Sequence, residues 1–242
     1  MASLVDGYVL KALTAIGTVI FVICIPALLL TTDLRFAIND VRLYEYGFNK
    51  YEASAATGLD REELVGVADQ LISYFNSDEE FVNIDLFEQR EVAHLKDVKG
   101  LVRLVYHLQL ATLAYIVLYV AVNFALKRGA FWRGLAKRLI WGSWTTVALL
   151  AVLGLWAAVG FESLFLWFHL VSFSNELWQL SPGDNLLLMF PQGFFNDAAL
   201  FVAGGAILEA IIIGAVTWGI VAVRRRQKQQ AWLPQSPEGT RS

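Results

Sequence analysis

The stretch LVYHLQLATLAYIVLYVAVNFAL, residues 104–126, carries no Asp, Glu, Lys or Arg and is bounded by Arg103 and Lys127. A helix of roughly 20 apolar residues crosses about 30 Å of hydrocarbon. Continuous helix is also the form that satisfies every backbone amide inside lipid. Three more runs have this character: Ala12 to Thr32, Leu139 to Phe161, and Ala198 to Val223, the last interrupted only by Glu209. The chain of 242 residues is 57% hydrophobic, with a mean hydropathy of +0.52, more apolar than a soluble domain of this size requires. The sequence therefore predicts a membrane all-α bundle of four transmembrane helices.

The basic residues orient it. Lys127, Arg128, Arg133, Lys137 and Arg138 lie between the second and third runs, and Arg224, Arg225, Arg226 and Lys228 follow the fourth. The positive-inside rule makes both segments cytoplasmic, and four spans return the N-terminus, with Lys11, to the same side. The expected division is a first transmembrane helix over 1–32, an extracytoplasmic cap over 33–100, a second helix over 101–126 and a cytoplasmic loop over 127–138. A third helix follows over 139–161, then an outer interfacial segment over 162–197, a fourth helix over 198–223 and a cytoplasmic tail over 224–242. The first run is longer than a signal-peptide core and lacks a small-residue cleavage site, so it reads as a retained anchor. Cys24, the single cysteine, excludes an internal disulfide and dithiol exchange. A net charge of −3 gives no basis for nucleic-acid binding.

The cap is expected to be a small α/β unit. Residues 42–51, RLYEYGFNKY, and residues 81–85, FVNID, read as short strands. Between them Leu64, Val67, Ala68, Leu71 and Ile72 recur at helical spacing, behind an Asp60 N-cap with Glu63 three residues on. From Leu86 the chain reads as helix continuing into the second span. The outer interfacial segment concentrates Phe161, Phe165, Trp167, Phe168, Phe173 and Trp178, suited to the headgroup level of a bilayer.

Only histidine, carboxylates and hydroxyls are available for chemistry. In EQREVAHLKDVK, residues 88–99, helical spacing places Glu91, His94 and Asp97 on one face, where a carboxylate can orient the imidazole. The same pattern also describes a solvated, salt-bridged helix end. His169, within FLWFHLVSF at residues 165–173, is either a satisfied interfacial histidine or a reactive group facing lipid. On a continuous helix His107 stands roughly 20 Å from His94 and nearly opposite in azimuth, and reads as structural. Glu209 is either functional, as intramembrane ionisable groups tend to be, or a carboxyl bonded to Ser143, Thr145, Thr146 or Asn123. Glu91-x-x-His94 is half of a di-iron pair with no second copy. No H-E-x-x-H, no G-x-S-x-G and no phosphate loop is present, so no metal, cofactor or nucleotide is expected.

The segment 88–99, with His94, resembles the signature preceding the second span in the lipoprotein intramolecular transacylase (Lit) family. Phe168, His169, Phe173, Asn175, Trp178 and Pro182, followed by DNLLLMFP at 184–191, resemble that family's other outer motif. Leu95 and Ser181 depart from the pattern, where methionine and aspartate are expected. The resemblance implies a bacterial cytoplasmic membrane enzyme, multi-pass, with its active site on the outer face. Its partners would be diacylglyceryl-modified lipoproteins and membrane lipids. It would move one acyl chain from the glycerol to the α-amino group of the N-terminal cysteine, giving a lyso-form lipoprotein. The family's essential histidines fall on His94 and His169. His94 is then expected as the base, held by Glu91 or Asp97, and His169 as acid or oxyanion partner, or the reverse. Arg90, Lys96, Lys99 and Arg103 are candidates for an oxyanion or headgroup contact. Two other classes compete: a non-catalytic accessory or sensor protein with an acidic binding cap, and a transporter using Glu209.

Overall fold

The structure, a computed structural model, describes residues 2–232. Seven helices follow one another: α1 (Ala2–Asn39), α2 (Val41–Lys50), α3 (Ala53–Thr57), α4 (Arg61–Asn76), α5 (Gln89–Ser172), α6 (Asn185–Met189) and α7 (Gln192–Trp232). Four helical stretches are long and apolar enough to cross a membrane: Lys11–Asn39, Gln89–Leu126, Phe131–Ser172 and Gln192–Gln227. Their outward surfaces carry large apolar side chains such as Leu118, Val152, Leu155, Val159 and Ile211, as lipid-facing helices must. The chain is a multi-pass membrane protein.

Helix α5 contains two of these stretches. Drawn straight, the path from His94 to Phe173 would span roughly 120 Å, yet the two rings lie 5.2 Å apart. The helix therefore doubles back between Tyr119 and Arg138, whose side chains meet at 5.5 Å, and its two arms run antiparallel. Helices α1 and α7 pack against them. Phe21, Ile25, Leu29, Leu150, Ala206 and Ala210 form the buried core of the bundle, and the Tyr115 hydroxyl donates to the Gly17 carbonyl at 2.8 Å. Gly142 allows a close approach of α1 to the second arm: a Cβ there would stand 2.4 Å from Ile25 Cδ1.

At one end of the bundle α2, α3, α4, α6 and the loops between them build a cap with its own core, including Tyr44, Phe48, Leu64, Leu71, Tyr74, Phe75, Met189, Phe190 and Phe194. This cap is all-helical, and the described residues contain no strand, which corrects the expected α/β cap. Residues 42–51 fall within α2 and its C-cap, Tyr51. Asp40 caps the helix by accepting from the Arg42 N–H, and Tyr44, Gly47 and Phe48 are its buried face, an i, i+3, i+4 pattern. Alternation over residues 81–85 is real, because Val82 and Ile84 are buried while Phe81, Asn83 and Asp85 are exposed. No second segment pairs with it, so it forms an extended loop and not a ladder. Helix α4 starts at the expected cap: Asp60 Oδ1 accepts from the Glu63 N–H at 2.9 Å, and Glu63 Oε2 accepts from the Asp60 N–H at 2.8 Å. Helix α5 begins at Gln89, three residues beyond Leu86.

Candidate active site

The helical hairpin brings the two motif histidines together beneath the cap. His94 lies two turns into the first arm, and His169 lies in the last turn of the second. Both are buried, 7% and 8% exposed, and Phe173 touches both rings, at 5.2 Å and 5.6 Å between centroids. Phe165, Phe168 and Trp178 complete the shell around His169, at 4.3, 5.3 and 5.0 Å.

The two rings are held differently. His169 Nδ1 lies 2.7 Å from the Phe165 carbonyl oxygen. A carbonyl only accepts, so Nδ1 carries the proton and Nε2 keeps its lone pair. His94 Nδ1 is buried without a hydrogen-bond partner. Such a group is costly and is usually satisfied, so one at a site is a candidate contact for a bound molecule.

Both histidines lie beyond the apolar runs 101–126 and 139–161. Burial drives the His94 pKa down to about 4; the neighbouring His169 adds to this, and Asp97 opposes it. Burial also lowers the His169 pKa, against the opposing effect of its hydrogen bond to the Phe165 carbonyl. Both imidazoles are thus neutral at pH 7.

The remaining predicted residues divide into two groups. Glu91, fully buried, accepts from the Leu186 N–H at 2.6 Å and from the Glu88 N–H at 2.7 Å. Asp97 accepts from the Asn175 side chain at 2.8 Å. Arg90 donates to the Glu176 carbonyl at 2.9 Å. These three tie the segment 173–191 to the first arm of α5, and neither carboxylate hydrogen-bonds His94. Lys99 points elsewhere, donating to the Glu79 carbonyl at 2.7 Å and the Ser77 hydroxyl at 3.1 Å, above the Tyr74 ring. Arg103 donates to the Ser77 carbonyl at 2.8 Å and pairs with Asp78 at 3.2 Å. Lys96 pairs with Glu80 at 2.6 Å. The three together pin the loop after α4.

His107 is exposed on the first arm. Glu209 is half-buried on α7 within electrostatic reach of Asp33. None of the partners expected for it hydrogen-bonds it: Thr145, Thr146 and Asn123 bond their own helix carbonyls, and Ser143 Oγ is unpartnered. Sequence reading missed the Phe165 carbonyl that fixes the His169 tautomer. It also missed the Glu91 bond to Leu186, although Glu88-x-x-Glu91 at a helix start is the spacing of a capping box and hints that this carboxylate is committed locally.

Four spans, a helical cap and a buried pair of neutral imidazoles where they meet define a polytopic membrane protein with two histidines gathered at one end of its bundle. The family model of the lipoprotein intramolecular transacylase Lit matches residues 19–195, and the chain belongs to that family. An uncharacterized protein of Aquifex aeolicus (strain VF5) is 27% identical over 206 residues, 81% of this chain and 90% of that one. The in meso structure of the membrane integral lipoprotein intramolecular transacylase Lit from Bacillus cereus superimposes with a TM-score of 0.75 at 20% identity, covering 89% of this chain and 99% of that one. A structure of the same protein with one histidine substituted gives 0.74, also at 20% identity, covering 92% and 98%. These structures share the fold.

Proposed function

We propose that this protein is an acyltransferase that moves an acyl chain from the diacylglyceryl ester to the α-amino group of the N-terminal cysteine of bacterial lipoproteins, leaving a lyso-form product. Family membership supports the reaction class. The observation that carries the reading is the meeting of His94 and His169, from opposite arms of α5, as buried neutral imidazoles.

The amine nitrogen attacks the ester carbonyl, forming the C–N bond and an oxyanion. His169 Nε2, with Nδ1–H anchored on the Phe165 carbonyl, takes the proton that the attacking nitrogen sheds. The C–O bond then breaks, and the same proton passes to the departing glyceryl oxygen. His94, held neutral by burial, donates a ring N–H to the oxyanion; a neutral imidazole is a competent donor in this role. This reverses the order favoured by sequence alone, because neither Glu91 nor Asp97 is free to orient His94. Amine and ester belong to one substrate, so holding them together replaces much of the barrier. Ester-to-amide transfer is downhill and requires no nucleotide. On the placement of the basic loops, the histidine end faces outward from the bacterial cytoplasmic membrane.

The test is mass spectrometry of a lipoprotein N-terminal peptide from a bacterium that makes only diacylglyceryl lipoproteins and expresses this chain. An N-acyl, S-monoacylglyceryl cysteine is expected, and it should vanish in His94→Ala and His169→Ala. Unchanged diacylglyceryl peptide with folded wild-type protein in the membrane overturns the reading.

A further inference from the structure

An open cleft of about 380 Å³ lies between the second arm of α5 and the start of α7, lined by Gly160, Phe161, Glu162, Gln192, Gly193 and Asn196. Its position relative to the histidines follows from helix geometry. Glu162 and His169 are seven residues apart, so they share a face and stand about 10 Å apart along the axis. The cleft lies on the bilayer side of His169, at the end of the apolar run 139–161. Phe165 forms the partition: its ring meets Phe161 at 5.9 Å, Phe195 at 5.4 Å and His169 at 4.3 Å. Anything moving from the leaflet on the cap side to the histidines along this face passes the cleft.

Three polar side chains line the cleft and are committed to nothing else. Among the described residues, Glu162, Gln192 and Asn196 make no side-chain hydrogen bond or ion pair, whereas the nearby Asp197 carboxylate accepts from Lys50 at 2.7 Å and Tyr51 at 2.8 Å. The two glycines differ in the space beside them. Tyr51 packs so closely on Gly193 that a Cβ there would stand 2.5 Å from its ring, while a Cβ on Gly160 would meet only Ser163 Oγ, at 3.7 Å. Space at Gly160 is therefore available to a ligand.

We infer that this cleft is the docking position for the head of an ammonium-bearing ester lipid on its way to the histidines, an inference that rests on the transacylase reading. Glu162 accepts from the ammonium, and the Gln192 and Asn196 amides donate to ester carbonyls. The volume suits the glyceryl diester and amino group of one lipid, with the acyl chains left along exposed Leu155, Val159 and Leu200. An α-amino group has a pKa of about 7.7–8.0, so the substrate docks mainly as a cation, the form a carboxylate selects, and it gives that proton to water before the free amine attacks. Two sources share this chemistry: the diacylglyceryl cysteine of a lipoprotein, and a phospholipid with an ethanolamine head.

The experiment uses the purified full chain, a dipalmitoylglyceryl-cysteinyl peptide as substrate, and the same peptide with a diazirine amino acid directly after the cysteine, beside the head that the cleft would hold, as photolabel. Gly160→Leu fills the cleft, and Glu162→Gln removes its charge with no change of shape. Each is expected to raise KM about tenfold with kcat held, and Gly160→Leu is expected to abolish labelling of residues 160–162 and 192–196. Wild-type KM and labelling in both variants overturn the docking position. Gly160→Leu is scored only where its thermal unfolding matches wild type; Glu162→Gln decides otherwise. Phosphatidylethanolamine that competes for label where phosphatidylglycerol does not assigns the cleft to ammonium lipids in general; competition by neither assigns it to the lipopeptide. Wild-type protein that is labelled in the cleft and converts nothing refutes the transacylase reading and leaves the cleft standing.

Discussion

The Glu91 carboxyl group accepts the backbone N–H of Leu186 at 2.6 Å, so a fully buried acceptor one turn before His94 holds the segment that closes over both histidines. Its second oxygen caps its own helix through the Glu88 N–H. Glu91→Gln can keep only one of these acceptors, and its amide cannot accept from the other N–H. An unsatisfied buried group costs about 1–3 kcal/mol. A lower thermal midpoint in detergent is expected, with faster proteolysis within 173–191. An unchanged midpoint would show that the clamp contributes nothing.

The histidines give the protein an acid limit. The folded-state pKa of His94 is depressed, from about 6.5 in the unfolded chain to about 4, so between those values the unfolded state binds more protons. Stability is fully present above pH 6.5 and falls as the pH drops towards 4, by an amount on the order of 3 kcal/mol. His94→Gln should flatten this slope in unfolding measurements from pH 7 to 4. In the same window wild-type conversion should fall as His169 gains a proton, with an acid limb below the 6.5 of an unperturbed histidine. The substrate amine sets its own limb near its pKa of about 7.7–8.0; a second limb at or above 6.5, with none below it, would contradict the buried, neutral pair.

Lys99 and Arg103 both bind the loop after α4, but with unequal weight. Lys99 is 4% exposed and makes two hydrogen bonds and a contact with the Tyr74 ring, so Lys99→Ala removes all three from a buried position and is expected to cost about 2 kcal/mol. The Arg103 side chain is 46% exposed and its partner Asp78 is fully exposed, so Arg103→Ala should cost less than about 1 kcal/mol. Paired thermal unfolding curves check the ranking. Equal losses would show that burial is not what separates them.

Gly142 and Ile25 offer a test of the bundle. Gly142→Ala forces a Cβ to within 2.4 Å of Ile25 Cδ1, an overpacking expected to cost about 1–3 kcal/mol. Ile25→Val removes that nearest atom and should restore part of the loss in the double variant. Simple additivity of the two losses would refute the contact.

Spans, histidines and the α4 cap were legible because each is written in local sequence: uninterrupted apolar runs, rare residue types, and an Asp-x-x-Glu capping pair. The strands expected at 42–51 and 81–85 failed for different reasons. At 42–51 the aromatic residues suggested a pleated strand, yet Tyr44 and Phe48 are spaced for a helix that Asp40 starts. At 81–85 the alternation described burial correctly, but a ladder needs a partner that no local pattern reports. The site shows the same division. His94 and His169 could be named from their motifs, while the tasks of Glu91 and Asp97 depended on Leu186 and Asn175, some 80 to 95 residues away in the chain, and no spacing rule spans that gap.

The hairpin in α5 makes the histidine site the open end of a pair of calipers. Each jaw carries one imidazole, and the pivot lies between Tyr119 and Arg138, some 50 Å away by helical rise. Over an arm of that length, a change of about 2° at the pivot moves the tips by nearly 2 Å, enough to part a nucleophile from its target. Phe21 against Tyr119, at 4.6 Å, and Ile25 against Gly142 set α1 between the arms as a spacer. The gauge of the chemistry is therefore cut by apolar residues deep in the bundle, which touch neither histidine.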